Sequence, residues 1–171
     1  MRALVVFESM FGNTQAIAEA VAAGLSSQLS VDAVEVGRAS PALDEHVDLL
    51  VVGGPTHAFG MSRPRTRSSA AEQAETGLVS TGLGLREWLE TLDCAGATIA
   101  AAFDTRVDKP RFPGAASHGA EKRLRRRGCT IAARGVSFFV EGVTGPLVAG
   151  EEDRARRWGE SLAATVVGQR V

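Results

Sequence analysis

The stretch that decides the fold of this 171-residue chain is Phe-Glu-Ser-Met-Phe-Gly-Asn-Thr at residues 7–14. It joins a short apolar run, Leu4–Phe7, to a segment in which apolar residues recur at helical spacing from Ala16 to Leu25. The apolar run has no polar alternation, which is typical of a strand that is covered on both faces. A turn between such a strand and a helix presents the unpaired amides of the helix N-terminus, which can bind an anion.

The residues of the turn suit one phosphate group. Gly12 lets the backbone come close to an anion, and Ser9, Asn13 and Thr14 add side-chain donors. The turn has neither the Gly-Lys-Ser/Thr of a nucleoside-triphosphate loop nor the GxGxxG of a dinucleotide loop, which favours a monophosphate. Taken alone, the same residues are also compatible with a tight strand-to-helix turn that is capped by hydroxyl groups.

The rest of the chain alternates apolar strand-like runs with helical segments, which predicts one α/β domain over residues 1–171 with a parallel sheet. The further predicted strands are Val31–Val36, Val47–Val52, Thr98–Phe103 and Thr130–Val140, the last with a break at Arg134-Gly135. The further predicted helices are Leu83–Leu92, Ala115–Arg127 and Glu151–Val167, with a partial, poorly packed helix over Arg65–Ala74.

Two connections are unusually long, from Gly53 to about Gly82 and from Asp104 to Gly114. Long loops in a compact domain tend to be functional. Both follow the carboxyl ends of predicted strands, where open α/β sheets bind ligands. We therefore expect both connections to contribute to a binding site.

Composition is that of an ordinary globular domain, with 44% apolar and 23% charged residues and a net charge of −1. Residues 1–7 lead directly into Glu8 without a signal-peptide pattern, and no apolar run reaches membrane-spanning length. We therefore expect a cytoplasmic protein with no membrane partner. Cys94 and Cys129 are expected to be reduced, mostly buried thiols, with a redox thiol pair as the alternative.

Charge is uneven along the chain, because residues 106–134 carry nine Lys or Arg against two Asp or Glu. The run Lys122-Arg123-Leu124-Arg125-Arg126-Arg127 is typical of the solvated face and C-terminal end of a helix. A docking patch for an acidic partner or a phosphorylated cofactor is the alternative interpretation. Nucleic acid is not expected as a partner, because the segment has few aromatic residues and no recognition motif.

Three loops together carry a family resemblance. Ser9–Thr14 resembles the flavodoxin phosphate signature, T/S-x-T-G-x-T. Gly53-Gly54-Pro55-Thr56-His57 is similar to the second loop of that family, and Phe103–Arg106 to its third. The resemblance covers nearly the whole chain. It implies a doubly wound five-stranded parallel sheet of order 2-1-3-4-5 with helices on both faces, and FMN bound where the first and third strands diverge.

The resemblance also implies which residues hold the cofactor. The phosphate would be held by Ser9, Met10, Phe11, Gly12, Asn13 and Thr14, and residues 55–60 and 104–112 would flank the isoalloxazine ring. The predicted cofactor-binding residues of these two later loops are Pro55, Thr56, His57, Phe59, Gly60, Asp104, Thr105 and Arg106. Asp104 could instead cap its loop. No catalytic residue and no metal ligand is predicted.

The sequence departs from the family pattern in two places. Phe11 stands where many flavodoxins have a hydroxyl residue, although Ser-Met-Phe-Gly is similar to the loop of some flavodoxin-like quinone reductases. The chain has no Tyr, and Trp88 and Trp158 lie in predicted helices as core or partly buried residues. The loop residues that could contact the ring are therefore His57, Phe59 and Phe112.

The expected function is electron transfer through a non-covalent flavin, with a redox partner protein or a small-molecule acceptor, by a monomer or a homodimer. Arg106, Lys109 and Arg111 would favour an anionic reduced flavin, so we expect a higher potential than in acidic flavodoxins. Two alternatives are a small FMN-dependent NAD(P)H:quinone-type oxidoreductase and a regulatory or binding module that has lost FMN. A receiver domain is not expected, because Glu8 lacks the partner acids and no Lys follows Lys122.

Overall fold

A computed structural model of the chain describes residues 1–94, 98–108 and 113–169. Its strands are β1 (Arg2–Phe7), β2 (Ser30–Glu35), β3 (Val47–His57), β4 (Gly60–Met61), β5 (Ile99–Val107), β6 (Thr130–Ile131) and β7 (Val136–Val140). Its α-helices are α1 (Asn13–Leu25), α2 (Pro64–Gln73), α3 (Leu85–Thr91), α4 (Ala116–Arg126) and α5 (Glu151–Gly168). A 3-10 turn, Val36–Arg38, follows β2.

The sheet has the order β2-β1-β3-β5, followed by β6 and β7, which both pair with β5. All of these pairings are parallel, and only β4 runs antiparallel, against the end of β3. The predicted order 2-1-3-4-5 is therefore confirmed, with β5 as the fourth strand of the prediction. The fifth predicted strand is divided into β6 and β7 at residues 132–135, where Arg134-Gly135 predicted a break.

Each face of the sheet is covered by a separate apolar cluster. On one face, α1 and α5 cover residues such as Val5, Val51 and Phe103. On the other face, α3 and α4 cover residues such as Val6 and Val52. The central strands are buried on both sides, which is why β1 and β3 read as continuous apolar runs rather than alternating ones.

Helices α1 and α5 approach each other closely because two glycines face the contact. A Cβ on Gly24 would overlap the carbonyl oxygen of Arg156, and a Cβ on Gly159 would overlap that of Val21. Both predicted core tryptophans lie in helices. Trp88 is fully buried in α3, and Trp158 packs against Phe103 and Phe138 edge to face.

Two strands are longer than the sequence predicted. The prediction ended the third strand at Val52, but β3 continues through Gly53-Gly54-Pro55 to His57. The prediction ended the fourth strand at Phe103, but β5 continues to Val107. The physical reason lies in packing between the two strands, because a Cβ on residue 53 would overlap the ring of Phe103. Gly53 is therefore a site of close approach inside a strand rather than the start of a turn.

The predicted partial helix is present as α2, and Ala70 is its one buried residue among those described. None of the helices in the described ranges is both long and apolar enough to cross a membrane.

Candidate functional site

A cleft opens at the carboxyl ends of β1, β3 and β5. Its larger part is a cavity of about 290 Å³ between the loop at residues 9–14, the end of β3 and helix α2. A second cavity of about 270 Å³ continues from it towards Phe59 and Gly114. The two share five lining residues, so they form one cleft: Thr56, Ala58, Arg106, Val107 and Val143.

The loop at residues 9–14 is organised around a buried hydroxyl. The Oγ of Ser9 accepts the amides of Gly12 at 3.2 Å and Gln15 at 3.3 Å. Gly12 has φ of +95°, a left-handed conformation that glycine adopts without a Cβ penalty. Within the described residues, the amides of Met10, Phe11, Asn13 and Thr14 have no hydrogen-bond acceptor. The loop therefore presents several free donors at the start of α1, as an anion site requires.

A segment far along the chain supports this loop from behind. The Oγ of Ser80 accepts the Ser9 amide at 3.0 Å, and the Ser80 amide donates to the Ser9 carbonyl at 2.8 Å. The Val79 amide donates to the Met10 carbonyl at 3.0 Å. Sequence reasoning assigned the long connection to function but missed this role of Ser80, because the bond spans 71 residues.

Two side-chain contacts tie the loop to neighbouring strands. The Oγ1 atoms of Thr14 and Thr105 are 2.7 Å apart, and both residues are buried. Asn13 donates through Nδ2 to the Thr144 carbonyl at 3.1 Å. One threonine hydroxyl proton is used in the first pair, so the other hydroxyl can still donate to a ligand in the cleft.

A buried carboxylate lies under the same edge of the sheet. Oε1 of Glu8 accepts the Ser62 hydroxyl at 2.5 Å, and Oε2 accepts the Leu85 amide at 2.8 Å. Arg67 donates to the Ser62 Oγ at 3.0 Å and pairs with Glu87 at 3.2 Å. Burial raises the pKa of the Glu8 carboxyl above its ordinary value, against the opposing effect of these hydrogen bonds. This network fixes α2 and α3 relative to β1.

Helix α2 forms one wall of the cleft. The residues that it contributes follow helical spacing and are small or polar: Thr66, Ser69, Ala70 and Gln73. Positions i, i+3, i+4 and i+7 lie on one face of a helix. Sequence reasoning missed these residues, although their spacing was a readable signal in a segment with few apolar side chains.

His57, at the end of β3, faces this wall. Its Nδ1 lies 3.1 Å from the Thr66 Oγ1, which also accepts the Arg63 amide and donates to the Arg63 carbonyl. The Thr66 hydroxyl has one proton, which goes either to the Arg63 carbonyl or to Nδ1 of His57, so the ring nitrogen that accepts depends on the tautomer of His57. Burial, and to a smaller extent the charge of Arg67, lowers the pKa of His57, which favours the neutral ring.

The far end of the cleft is mostly apolar, and Arg106 is the cation among the described residues that line it. Ala58 and Phe59 have φ of 44° and 70° in the turn between β3 and β4. A Cβ on Gly114 would overlap the Phe59 carbonyl, so glycine lets the segment before α4 touch this turn. Arg106 donates to the Gly114 carbonyl at 3.0 Å, lies 5.7 Å from the centre of the Phe139 ring, and leaves its Nε without a partner.

Most of the predicted site residues meet at this cleft. Those that line one of the two cavities are Ser9, Met10, Phe11, Asn13, Thr14, Pro55, Thr56, His57, Phe59, Thr105 and Arg106. Gly12, Gly60 and Asp104 line neither cavity. Phe112, with Lys109 and Arg111, lies outside the described residues.

Asp104 does not line the cleft, and its carboxylate contacts the backbone of α4 instead. It is fully buried in β5, where its Oδ2 accepts the Ser117 amide in the first turn of α4 at 2.9 Å. The sequence left open whether this carboxylate caps local backbone or contacts a flavin. The structure supports capping, with α4 as the element that is capped.

The basic run on α4 is largely engaged with its own surroundings. Arg123 pairs with Glu90 at 3.8 Å, Arg125 pairs with Glu121 at 2.5 Å, and Arg127 donates to the Leu89 carbonyl at 3.2 Å. These contacts, in the last turn of the helix and just beyond it, favour the solvated helix face over a dedicated docking patch. Among the residues in the three described ranges, no cluster of three or more His, Cys, Asp or Glu side chains could hold a metal.

Comparisons with known proteins agree with this arrangement. The family model for flavodoxin matches residues 5–158. An archaeal flavodoxin structure is 20% identical, with a TM-score of 0.66 over 98% of this chain and 99% of its own. Oxidised flavodoxin 1 from Bacillus cereus is 16% identical, with a TM-score of 0.68 over 98% of each chain. The flavodiiron core from Synechocystis sp. PCC6803 is 15% identical, with a TM-score of 0.63 over 99% of this chain and 36% of its own. A search of curated proteins gave no match.

A parallel sheet of this order, with a loop of free amides after its first strand, defines a flavodoxin-like α/β domain. The chain belongs to the flavodoxin family, and it is an FMN-binding protein of the electron-transfer class.

The residues of the cleft fit this cofactor. Free amides at residues 10, 11, 13 and 14 suit a phosphate, and the apolar far end suits a flat aromatic ring. The unpartnered Arg106 Nε supplies a donor between them. Bound FMN would supply one- and two-electron chemistry, while the residues of the cleft would bind its phosphate and orient its ring.

Proposed function

We propose that FMN occupies the continuous cleft, with its phosphate on residues 9–14 and its ring between the turn at residues 58–59 and Arg106. The observation that carries this proposal is that the two ends of the cleft differ in chemical character. One end has four free backbone amides, and the other has apolar walls that include Phe59 and Val143. A phosphorylated flat aromatic molecule matches both ends, and an inorganic anion would use only one of them.

The chain then exchanges electrons with a redox partner protein or a small-molecule acceptor in the cytoplasm, as a monomer or a homodimer. Arg106 places a positive charge beside the ring end of the cleft. A positive charge favours the anionic reduced flavin over the neutral oxidised one. The two-electron potential is therefore higher than in flavodoxins with acidic surroundings.

A specific observation also supports the oxidoreductase alternative. Phe59 is 53% exposed and Val143 is 66% exposed at the mouth of the ring end. No tryptophan or tyrosine lines either cavity among the described residues. A ring bound here would keep part of one face open to a small substrate such as a quinone. Stopped-flow reduction of the FMN-loaded protein with NADH, NADPH and reduced ferredoxin distinguishes such an enzyme from a shuttle.

The first test is titration of purified protein with FMN and with riboflavin, followed by quenching of flavin fluorescence. We expect FMN to bind at least about a hundredfold more tightly, because riboflavin cannot accept the charge-assisted bonds of the phosphate loop. Equal affinity for FMN and riboflavin would show that the FMN phosphate does not bind at this loop. No quenching at micromolar protein would instead support a module that has lost FMN.

Two glycine variants sharpen the test. Gly12→Ala forces an alanine into the left-handed conformation at φ of +95° and distorts the free amides beside it. Gly128→Ala imposes the same strain at φ of +86° at the end of α4, and in both positions the added Cβ meets open space. We expect Gly12→Ala to weaken FMN binding about tenfold, and Gly128→Ala to bind FMN as the wild type does. An equal effect of the two variants would refute the assignment of the phosphate to this loop.

A further inference from the structure

The two cysteines of the chain lie side by side, although 35 residues separate them. Cys94 follows α3, Cys129 follows α4, and their Sγ atoms are 2.7 Å apart. A disulfide bond has a length of about 2.05 Å, so the remaining gap can be closed by small side-chain rotations. The sequence left a redox thiol pair as the alternative to two independent thiols, and the structure brings the two sulfurs into contact.

Backbone hydrogen bonds hold both segments in place. The Cys129 amide donates to the Leu124 carbonyl at 3.1 Å, directly after Gly128 ends the helix with a left-handed φ. Before Cys94, the Asp93 amide donates to the Pro41 carbonyl at 2.8 Å. After Cys129, the Thr130 amide donates to the Thr98 carbonyl at 3.0 Å and joins the two segments. Backbone hydrogen bonds of the sheet and its connections therefore hold the two sulfurs close together.

We propose that Cys94 and Cys129 form a dithiol–disulfide site that reacts with low-molecular-weight disulfides. The Cys94 thiolate attacks one sulfur of the reagent, forms a mixed disulfide and releases one thiolate. The Cys129 sulfur then attacks the Cys94 Sγ, and its proton goes to the second leaving thiolate. The protein loses two electrons and two protons, and the reagent gains them as two thiols.

The different burial of the two sulfurs sets the order of these steps. Cys94 is half-buried, and Cys129 is 6% exposed. Burial, together with the contact to Cys94, raises the pKa of the Cys129 thiol, which disfavours its thiolate and its reaction with external reagents. Cys94 is the sulfur that an external reagent can reach, and Cys129 resolves the mixed disulfide.

The site lies at the opposite edge of the sheet from the flavin cleft. Strand β5 begins at Ile99, just after Cys94, and ends in the cleft at Thr105 to Val107. Nine strand residues span about 30 Å. Closure of the bond would form a loop around β5 and α4, which stabilises the fold mainly by restricting the unfolded chain. Oxidation therefore changes stability and leaves the cleft unchanged.

The test uses the full chain, incubated with oxidised glutathione and then returned to dithiothreitol. We expect both thiols to disappear from a thiol titration, the protein mass to fall by two hydrogen atoms, and dithiothreitol to restore the thiols. The midpoint of thermal unfolding should rise by roughly 10 °C on oxidation. Two titratable thiols that remain after oxidant, or disulfide-linked dimers without an intramolecular bond, would overturn the proposal.

Two single variants test the order of the steps. Cys129→Ala removes the resolving sulfur, so one glutathione should accumulate on Cys94. Cys94→Ser leaves only the buried sulfur, so the folded protein should acquire no glutathione. The reverse labelling pattern would contradict the assignment of the two sulfurs. The affinity for FMN should be equal in the oxidised and reduced protein, so a failure of flavin binding and a failure of this proposal are separate results.

Discussion

The buried contact between Thr14 and Thr105 gives a sharp test of how the loop at residues 9–14 is held. Thr14→Val and Thr105→Val replace each hydroxyl with a methyl group of similar size. Thr14 is 2% exposed and Thr105 is 5% exposed. Each single change therefore leaves the other hydroxyl buried without its partner. An unsatisfied buried hydroxyl costs about 1–3 kcal/mol, so each variant should lose about 1.5 kcal/mol of unfolding free energy.

The double variant should be less affected than the sum of the two single ones. With both hydroxyls replaced, no polar group is left without a partner, and such a replacement is often close to neutral. We expect the double variant to lose at most about 1 kcal/mol, which gives a coupling energy of about 2 kcal/mol. The assay is urea unfolding of the apoprotein, analysed as a double-mutant cycle.

A matched control is available in α5. Thr165 donates to the Ser161 carbonyl of its own helix at 2.9 Å, so Thr165→Val should change stability by less than about 0.5 kcal/mol. If the double variant loses the sum of the single losses, about 3 kcal/mol, the two hydroxyls do not form the bond that the structure shows.

Three further predictions concern the network below the loop, the strand contact and the ring end of the cleft. Because burial raises the pKa of Glu8, its ionisation opposes folding: the stability of the wild type relative to Glu8→Gln is greatest below about pH 4 and falls as pH rises through the raised value. Urea unfolding at stepped pH measures this difference, and a difference independent of pH would contradict the burial argument. Gly53→Ala should cost about 1–3 kcal/mol in urea unfolding because the new methyl group overlaps the Phe103 ring, and adding Phe103→Leu should recover part of that loss. Arg106→Gln should lower the two-electron potential of the FMN-loaded protein by roughly 20–45 mV in a spectroelectrochemical titration, and an unchanged potential would place this guanidinium away from the ring.

The sequence predicted the elements whose pattern is local. The strand, turn and helix around residues 7–14 follow from a short apolar run, a glycine and helical spacing. The order of the sheet followed from the resemblance that the three loops carry. The break between β6 and β7 was readable at Arg134-Gly135, because glycine weakens the interior of a strand.

What the sequence could not predict depends on contacts between distant segments. Gly53-Gly54-Pro55 reads as a turn until Phe103 is known to pack against it from the next strand. The support of Ser9 by Ser80 connects positions 71 residues apart and follows no periodicity. The pairing of Cys94 with Cys129 likewise depends on where two connections meet at the edge of the sheet.

The close packing of α1 and α5 has a consequence for biosynthesis. The apolar side of α1, with Ile17 and Val21, is covered in part by α5, the last of the described helices to leave the ribosome. A nascent chain that already contains β1 to β7 would still expose this side of α1 to water. Until residues 151–168 emerge, such an intermediate presents an apolar surface to other nascent chains and to chaperones. The glycines at positions 24 and 159 let the two helix backbones come into contact, which removes this apolar side of α1 from water.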